Sequence, residues 1–226
     1  MSMCGRYTLV TDPEAVRKRF QLEELPILLQ PRYNIAPSQM VPAIISRQGQ
    51  RKIGMLRWGL IPSWARDEKI GNKLINARAE TLTEKPSFQN LIARKRCLIP
   101  ADGFYEWKQL EKGKQPMRIQ LKDGGLFAFA GLYDTWSKPD GQKVHTCTII
   151  TTQPNQVVSD IHDRMPVILQ PQDEDTWLDP AHEDMRFLQS LLVPYDAEMM
   201  RAYPVSSMVG NPRHDSPACV EEITTE

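Results

Sequence analysis

KRCLIPADGFYEWKQL, residues 95–110, reads as a strand, a turn signal at Asp102-Gly103 and a second strand rich in aromatic residues. Downstream, QPMRIQL (115–121), LFAFAGLYDTW (126–136) and KVHTCTIITT (143–152) alternate or run apolar with turn signals between them. Such spacing predicts antiparallel strands. Upstream, KIGMLRWGLIPSWA (52–65) predicts a strand ending in a proline-containing loop, and LQPRYNIAPSQMVPAII (29–45) is turn-rich, then extended. GNKLINARAETL (71–82) is short, polar and rich in small residues, so it reads as strand or loop. Helical signals are few. Asp12-Pro13-Glu14 opens a short helix through Phe20, HEDMRFLQSLL (182–192) has helical spacing, and YDAEMMRAY (195–203) suggests a second short helix. No linker divides the chain. The expectation is one α+β domain over residues 1–226, with antiparallel sheets forming a barrel-like core flanked by short helices.

A chain of 226 residues can bury one sizeable core. Its 18 prolines against 12 glycines disfavour bundles, coiled coils and solenoids. No apolar run approaches the ~20 residues that a bilayer span needs. MSMCGRYTLV lacks the apolar stretch of a signal peptide, so a cytoplasmic location without a membrane partner is expected. Lys and Arg balance Asp and Glu at 28 each, but unevenly along the chain. Residues 1–120 hold 21 basic against 11 acidic residues, and residues 121–226 hold 7 against 17. Either a basic face meets a polyanion, or the two halves interleave and the charges mix. Cys4, Cys97, Cys147 and Cys219 form no C-x-x-C pair, so neither a zinc ribbon nor a thioredoxin-like site is expected, and no metal or organic cofactor is implied. Cys97 and Cys147 lie in apolar strand-like runs and read as buried and inert.

Five polar side chains stand in apolar or tightly turned segments: Cys4, Asn76, Arg78, Glu106 and His162. A cysteine made residue one carries a thiol and an α-amine on adjacent carbons. Its amine, with a pKa of roughly 7.7–8.0, is partly neutral near pH 7 and attacks aldehydes. The thiol can then close a five-membered thiazolidine, or attack a carbonyl by itself. Position alone favours a small apolar residue in the first strand. Asn76 and Arg78 share one face if their segment is extended; otherwise they belong to an ordinary surface stretch with Glu80. Asn76 could orient an amine or thiol, and the Arg78 fork suits phosphate. Glu106, among Phe104, Tyr105 and Trp107, is either a proton donor and acceptor with a raised pKa or an exposed residue opposite an aromatic face. His162 is a proton shuttle or a satisfied turn residue between two aspartates. Trp64, at a loop tip, either stacks on a nucleobase or anchors the loop to the core.

Taken together, MCGRYTL (3–9), RYNIAPSQ (32–39), RWGLIPSWA (57–65), INARAET (75–81), KRCLIPADGFYEWK (95–108) and DIHDRMPVIL (160–169) resemble the SRAP family, whose name abbreviates SOS-response-associated peptidase. YPVSSMVGN (203–211) extends the likeness over nearly the whole chain. The resemblance implies a mixed domain with a barrel-like antiparallel core. It implies recognition of abasic sites in single-stranded DNA and capture of the ring-opened sugar aldehyde by an N-terminal cysteine, with associated β-elimination and crosslink reversal. On the matching positions, Cys4 is the nucleophile, Asn76 positions it, Glu106 is the acid/base group and His162 assists proton transfer on the sugar. Arg78 contacts phosphate, and Arg6, Pro37, Trp64, Thr151 and Arg164 fall on the DNA path. A monomer is expected, associated with the nucleoid when on DNA.

The family's cysteine directly follows the initiator methionine, whereas Cys4 follows Met1-Ser2-Met3. The resemblance therefore implies either a native start at Met3 or the shedding of three residues. Three readings compete: covalent abasic-site capture, a cysteine autopeptidase acting on its own leader, and a noncovalent single-strand binding module with a structural Cys4.

Overall fold

The computed structural model describes residues 4–224. Among them the strands are β1 (Tyr7–Leu9), β2 (Arg32–Ile35), β3 (Met40–Arg47), β4 (Gln50–Trp58), β5 (Asn76–Arg78), β6 (Arg96–Ala101), β7 (Gly103–Gln109), β8 (Lys114–Leu121), β9 (Phe127–Ser137), β10 (Lys143–Thr152), β11 (Met165–Pro166) and β12 (Met200–Pro204). The helices are short: α1 (Pro13–Arg19), α2 (Leu91–Arg94), α3 (Gln156–Ser159), α4 (Glu174–Leu178) and α5 (Met185–Ser190). Asp12 caps α1, accepting from the Glu14 and Ala15 amides, with Pro13 at the first helical position. No helix among the described residues is long and apolar enough to cross a membrane.

Strands β10, β4, β3, β6 and β9 form a closed barrel, because β9 pairs back onto β10 from Ser137↔Lys143 to Gly131↔Ile149. The fold is α+β, and its antiparallel barrel core is the expected one. One seam differs: β10 joins β4 in parallel over Thr146 and Cys147. A second, wholly antiparallel sheet runs β12-β8-β7-β1-β2. Strands β9 and β10, from the acidic half of the sequence, sit between β6 and β4 from the basic half, so the two halves interleave in space.

An aromatic seam joins the two sheets. Tyr7 of β1 meets Trp58 and Phe129 of the barrel edge-on at centroid distances of 5.5 and 5.6 Å, and Phe104 of β7 meets Phe129 at 6.1 Å. Such pairs add to the burial of large apolar area.

The Asp102-Gly103 signal does not make a hairpin. β6 belongs to the barrel and β7 to the second sheet, so the chain changes sheets at Asp102. Asp102 is buried and accepts from Thr8 Oγ1 at 2.6 Å, the Val10 and Thr11 amides at 2.6 and 2.9 Å, and Thr11 Oγ1 at 2.8 Å. The buried Arg118 guanidinium lies 3.4 Å from its carboxylate. A Cβ at Gly103 would sit 2.8 Å from that guanidinium, so any larger residue there would require Arg118 to move. Replacing Asp102 by alanine strands a buried cation and four donors, and about 3–5 kcal/mol of stability should be lost in a chemical denaturation midpoint series. An unchanged midpoint would remove the corner's assigned role.

YDAEMMRAY is not a helix. Ala197–Met199 make one 3₁₀ turn, and the chain then enters β12, where Met200–Pro204 pair with Met117–Leu121 of β8. Local helical spacing loses here to ladder bonds on an open sheet edge. The segment after β4 positions the next strand. Gly59 takes φ +126°, and a Cβ on it would lie 2.6 Å from the Gly71 carbonyl oxygen. This close approach folds residues 59–74 back so that β5 aligns parallel to β10, with Asn76 opposite Ile149 and Arg78 opposite Thr151.

Candidate active site

Glu106 reaches the site through strand parity. Phe104 and Glu106 share one face of β7, the face that meets the barrel, while Tyr105 points the other way and donates to the Tyr33 and Cys219 carbonyls. Glu106 therefore lies at the mouth between sheet and barrel, 2% exposed. The chain ahead of β1 runs antiparallel to β7, with Tyr7 opposite Phe104 and the Tyr105 amide donating to the Arg6 carbonyl. That register delivers Cys4, whose backbone N–H donates to Glu106 Oε1 at 2.9 Å. Cys4 itself is buried and takes φ +32°, a conformation that L-residues adopt only at a cost of roughly 1–2 kcal/mol.

Burial pushes the Glu106 carboxyl up to about 7 against the opposing pull of His162 and of the hydrogen bonds from Cys4. Near neutrality it is thus both acid and base. Burial, and then the Glu106 charge, also raise the Cys4 thiol well above its ordinary value, so it stays protonated. His162 Nε2 faces Glu106 Oε2 at 3.9 Å, longer than a direct hydrogen bond. Its Nδ1 lies 3.1 Å from the Arg164 amide nitrogen, 3.2 Å from the Arg164 carbonyl oxygen and 3.1 Å from Asp163 Oδ1. Asn76 Nδ2 donates to the Cys4 and Ile149 carbonyls at 3.5 and 3.4 Å. Its Oδ1 is buried and has no hydrogen-bond partner among the described residues.

Cys4, Asn76, Glu106 and His162 are therefore assembled from β1's leading segment, β5, β7 and the segment before β11. Glu106 and His162 line a cleft of about 680 Å³ that is also walled by Arg6, Pro37, Trp107, Lys114, Ile161 and Gly210, while Cys4 and Asn76 are buried and not part of its lining. A cleft of equal volume beside Arg51, Asp175 and His182 contains none of the residues singled out in the sequence.

Among the remaining expected positions, Arg6 donates to the Val209 and Gly210 carbonyls, holding the C-terminal segment against the cleft. Trp64 is 58% exposed and lies outside the cleft, beside Arg66, Lys69 and Lys73. Its loop is pinned by the Ile61 amide on Thr146, the Ser63 amide on Asp134 and the Trp136 indole on the Ala65 carbonyl. Arg78 is exposed at the end of β5. Thr151 is buried, and its carbonyl and hydroxyl accept from Arg164, whose guanidinium is also paired with Glu80.

The sequence assigned no role to Glu80, Trp107, Lys114 or Gly210. Only Glu80 left a signal, because it follows Asn76 and Arg78 at the same spacing of two. Among the described residues no three His, Cys, Asp or Glu side chains group as metal ligands.

The chain is 55% identical over 222 residues to the "Abasic site processing protein YoqW" of Bacillus subtilis (strain 168), covering 97% of this chain and 99% of the relative. It is 34% identical over 226 residues to the "Abasic site processing protein HMCES" of Gallus gallus, covering 86% of this chain and 67% of that one. A crystal structure of a Bacteroides thetaiotaomicron protein superposes with a TM-score of 0.88 at 32% identity, covering 98% of this chain and all of the other. The family described as "SOS response associated peptidase (SRAP)" matches residues 3–212. The chain belongs to the SOS response associated peptidase family.

Proposed function

We propose that this protein processes abasic sites by capturing the ring-opened sugar aldehyde in single-stranded DNA on Cys4, as a thiazolidine. One observation carries the reading: the Cys4 backbone nitrogen lies 2.9 Å from a buried carboxyl that titrates near 7. When Cys4 is residue one, that nitrogen is the α-amine. It adds to the aldehyde carbon, and the carbinolamine loses its hydroxyl as water with a proton from Glu106. The Cys4 thiol then adds to the imine carbon, and its proton passes to the Glu106 carboxylate. The net change is one ring formed and one water released. Glu106 and His162 are the groups proposed to take the proton beside the imine carbon in the β-elimination step. An abasic position offers no base edge, so no sequence preference is expected.

Removal of residues 1–3 is part of this reading. A specific observation favours self-removal at the same site: the φ of +32° at Cys4 is strain that cutting the peptide bond before it would release. The protonated thiol argues against an ion-pair protease mechanism for that step.

Intact mass spectrometry of denatured mixtures with abasic single-stranded DNA tests the proposal. A DNA adduct on the form that begins at Cys4, and none on the form retaining Met1–Met3, is the expected result. No adduct on either form overturns covalent capture and leaves simple binding. In the same assay His162→Ala should form the adduct yet release it about 10²-fold more slowly, the scale of a lost general acid or base. Equal release from a purified adduct chased with excess aldehyde trap would remove His162 from that step.

A further inference from the structure

Arg164 joins three elements. Its Nη1 and Nη2 grip the two carboxylate oxygens of Glu80 at 2.7 and 2.9 Å, and Nη2 also donates to the Thr151 carbonyl at 2.8 Å. Glu80 stands in the turn just after β5, the strand that carries Asn76. Thr151 stands at the end of β10, where β5 and β11 both pair. Arg164 is two residues from His162, and its own amide and carbonyl are the backbone groups around His162 Nδ1. The guanidinium is buried, and its Nε has no partner among the described residues. Glu80 is thus what neutralises a desolvated cation, and a buried cation left alone seeks water.

We infer that Glu80 is a positioning residue: by clamping Arg164 it sets the backbone of residues 162–164, and so aims the His162 imidazole at Glu106. The inference rests on the capture reading for its kinetic consequence, but its geometric content is independent of it. Arg164 acts in this arrangement as a strut between the Asn76 strand and the His162 segment, with its fork already occupied. A DNA phosphate could reach that fork only by displacing Glu80.

Glu80→Gln tests this, because it keeps the side chain's size on a partly exposed turn and removes the charge. Two readouts are taken on the chain beginning at Cys4. The first is ¹⁵N NMR of the His162 imidazole without DNA. Its Nδ1 and Nε2 resonances should move in Glu80→Gln, and those of the exposed His145 should not. The second is kinetic. Adduct release should slow about 10-fold while affinity for intact single strands stays within twofold, and Glu80→Gln should add nothing in a His162→Ala background. Unmoved His162 resonances overturn the inference even if no adduct ever forms, the outcome that by itself sinks only the capture reading. Parent-rate release together with tighter binding of intact strands would make Glu80 a mere competitor for Arg164, and also overturns it.

Discussion

Cys4→Ala should abolish the denaturation-resistant adduct with abasic single-stranded DNA, by about 10²-fold or more against the parent. The size follows from the chemistry of ring closure. The thiol stands one carbon from the carbon that bears the amine, so its attack on the imine is intramolecular, and well-oriented intramolecular steps reach effective molarities of about 10⁵–10⁸ M. Alanine at residue one keeps the amine and loses the ring. An imine remains, which water reverses. Borohydride should therefore trap a reduced adduct on Cys4→Ala that vanishes when reductant is omitted, provided the alanine amine is free. Gel mobility of heated samples, with and without reductant, separates the cases. An adduct undiminished in Cys4→Ala without reductant would mean that another nucleophile is at work, and the cleft's other amine, on Lys114, would be the first to examine. Blocking the amine by retaining Met1–Met3 should be equally damaging, since an amide nitrogen cannot condense with an aldehyde.

The strands of this fold are legible because alternation and turn residues are local. What joins them is less so. Phe104-Tyr105-Glu106 announces a strand, but not which face is buried, because both faces of β7 are covered. Phe104 and Glu106 meet the barrel, and Tyr105 meets the carbonyls of Tyr33 and Cys219. An argument from alternation assumes one wet face and could leave Glu106 outside. Residues 195–203 mislead for a related reason, since β8 offers an unpaired edge that captures Met200–Pro204 as a strand. The candidate site residues emerged as a set through the family resemblance, while each by itself had a bland reading of equal or greater weight. Glu80 shows the remaining gap. Its partner lies 84 residues away in sequence, and only the parallel alignment of β5 on β10 brings them together.

Glu106→Gln should trade reactivity for stability. Burial moves this carboxyl from 4.5 to about 7, so the folded chain holds a proton that the unfolded chain has released across that interval. More protons on the folded state mean that stability falls as pH rises from 4.5 to 7, by about 3 kcal/mol in all, and stays low above 7. Glutamine is neutral throughout and keeps an oxygen for the Cys4 N–H. Glu106→Gln should therefore match the parent's denaturation midpoint near pH 4.5, exceed it above pH 7, and flatten the pH dependence between. The same variant can neither protonate the departing hydroxyl nor accept the thiol proton, so adduct formation should slow by about 10²–10⁴-fold. The parent's formation rate should peak near neutrality, where acid and base forms of Glu106 coexist, and that maximum should be absent in Glu106→Gln. A variant that crosslinks at the parent rate would remove Glu106 from the proton transfers. One that is destabilised at pH 8 would show instead that the Glu106 carboxylate is held by its neighbours more strongly than burial repels it. A buried acid that costs stability at neutral pH has a reason to be there only if the site uses the proton, and these two measurements on one variant connect that cost to its chemistry.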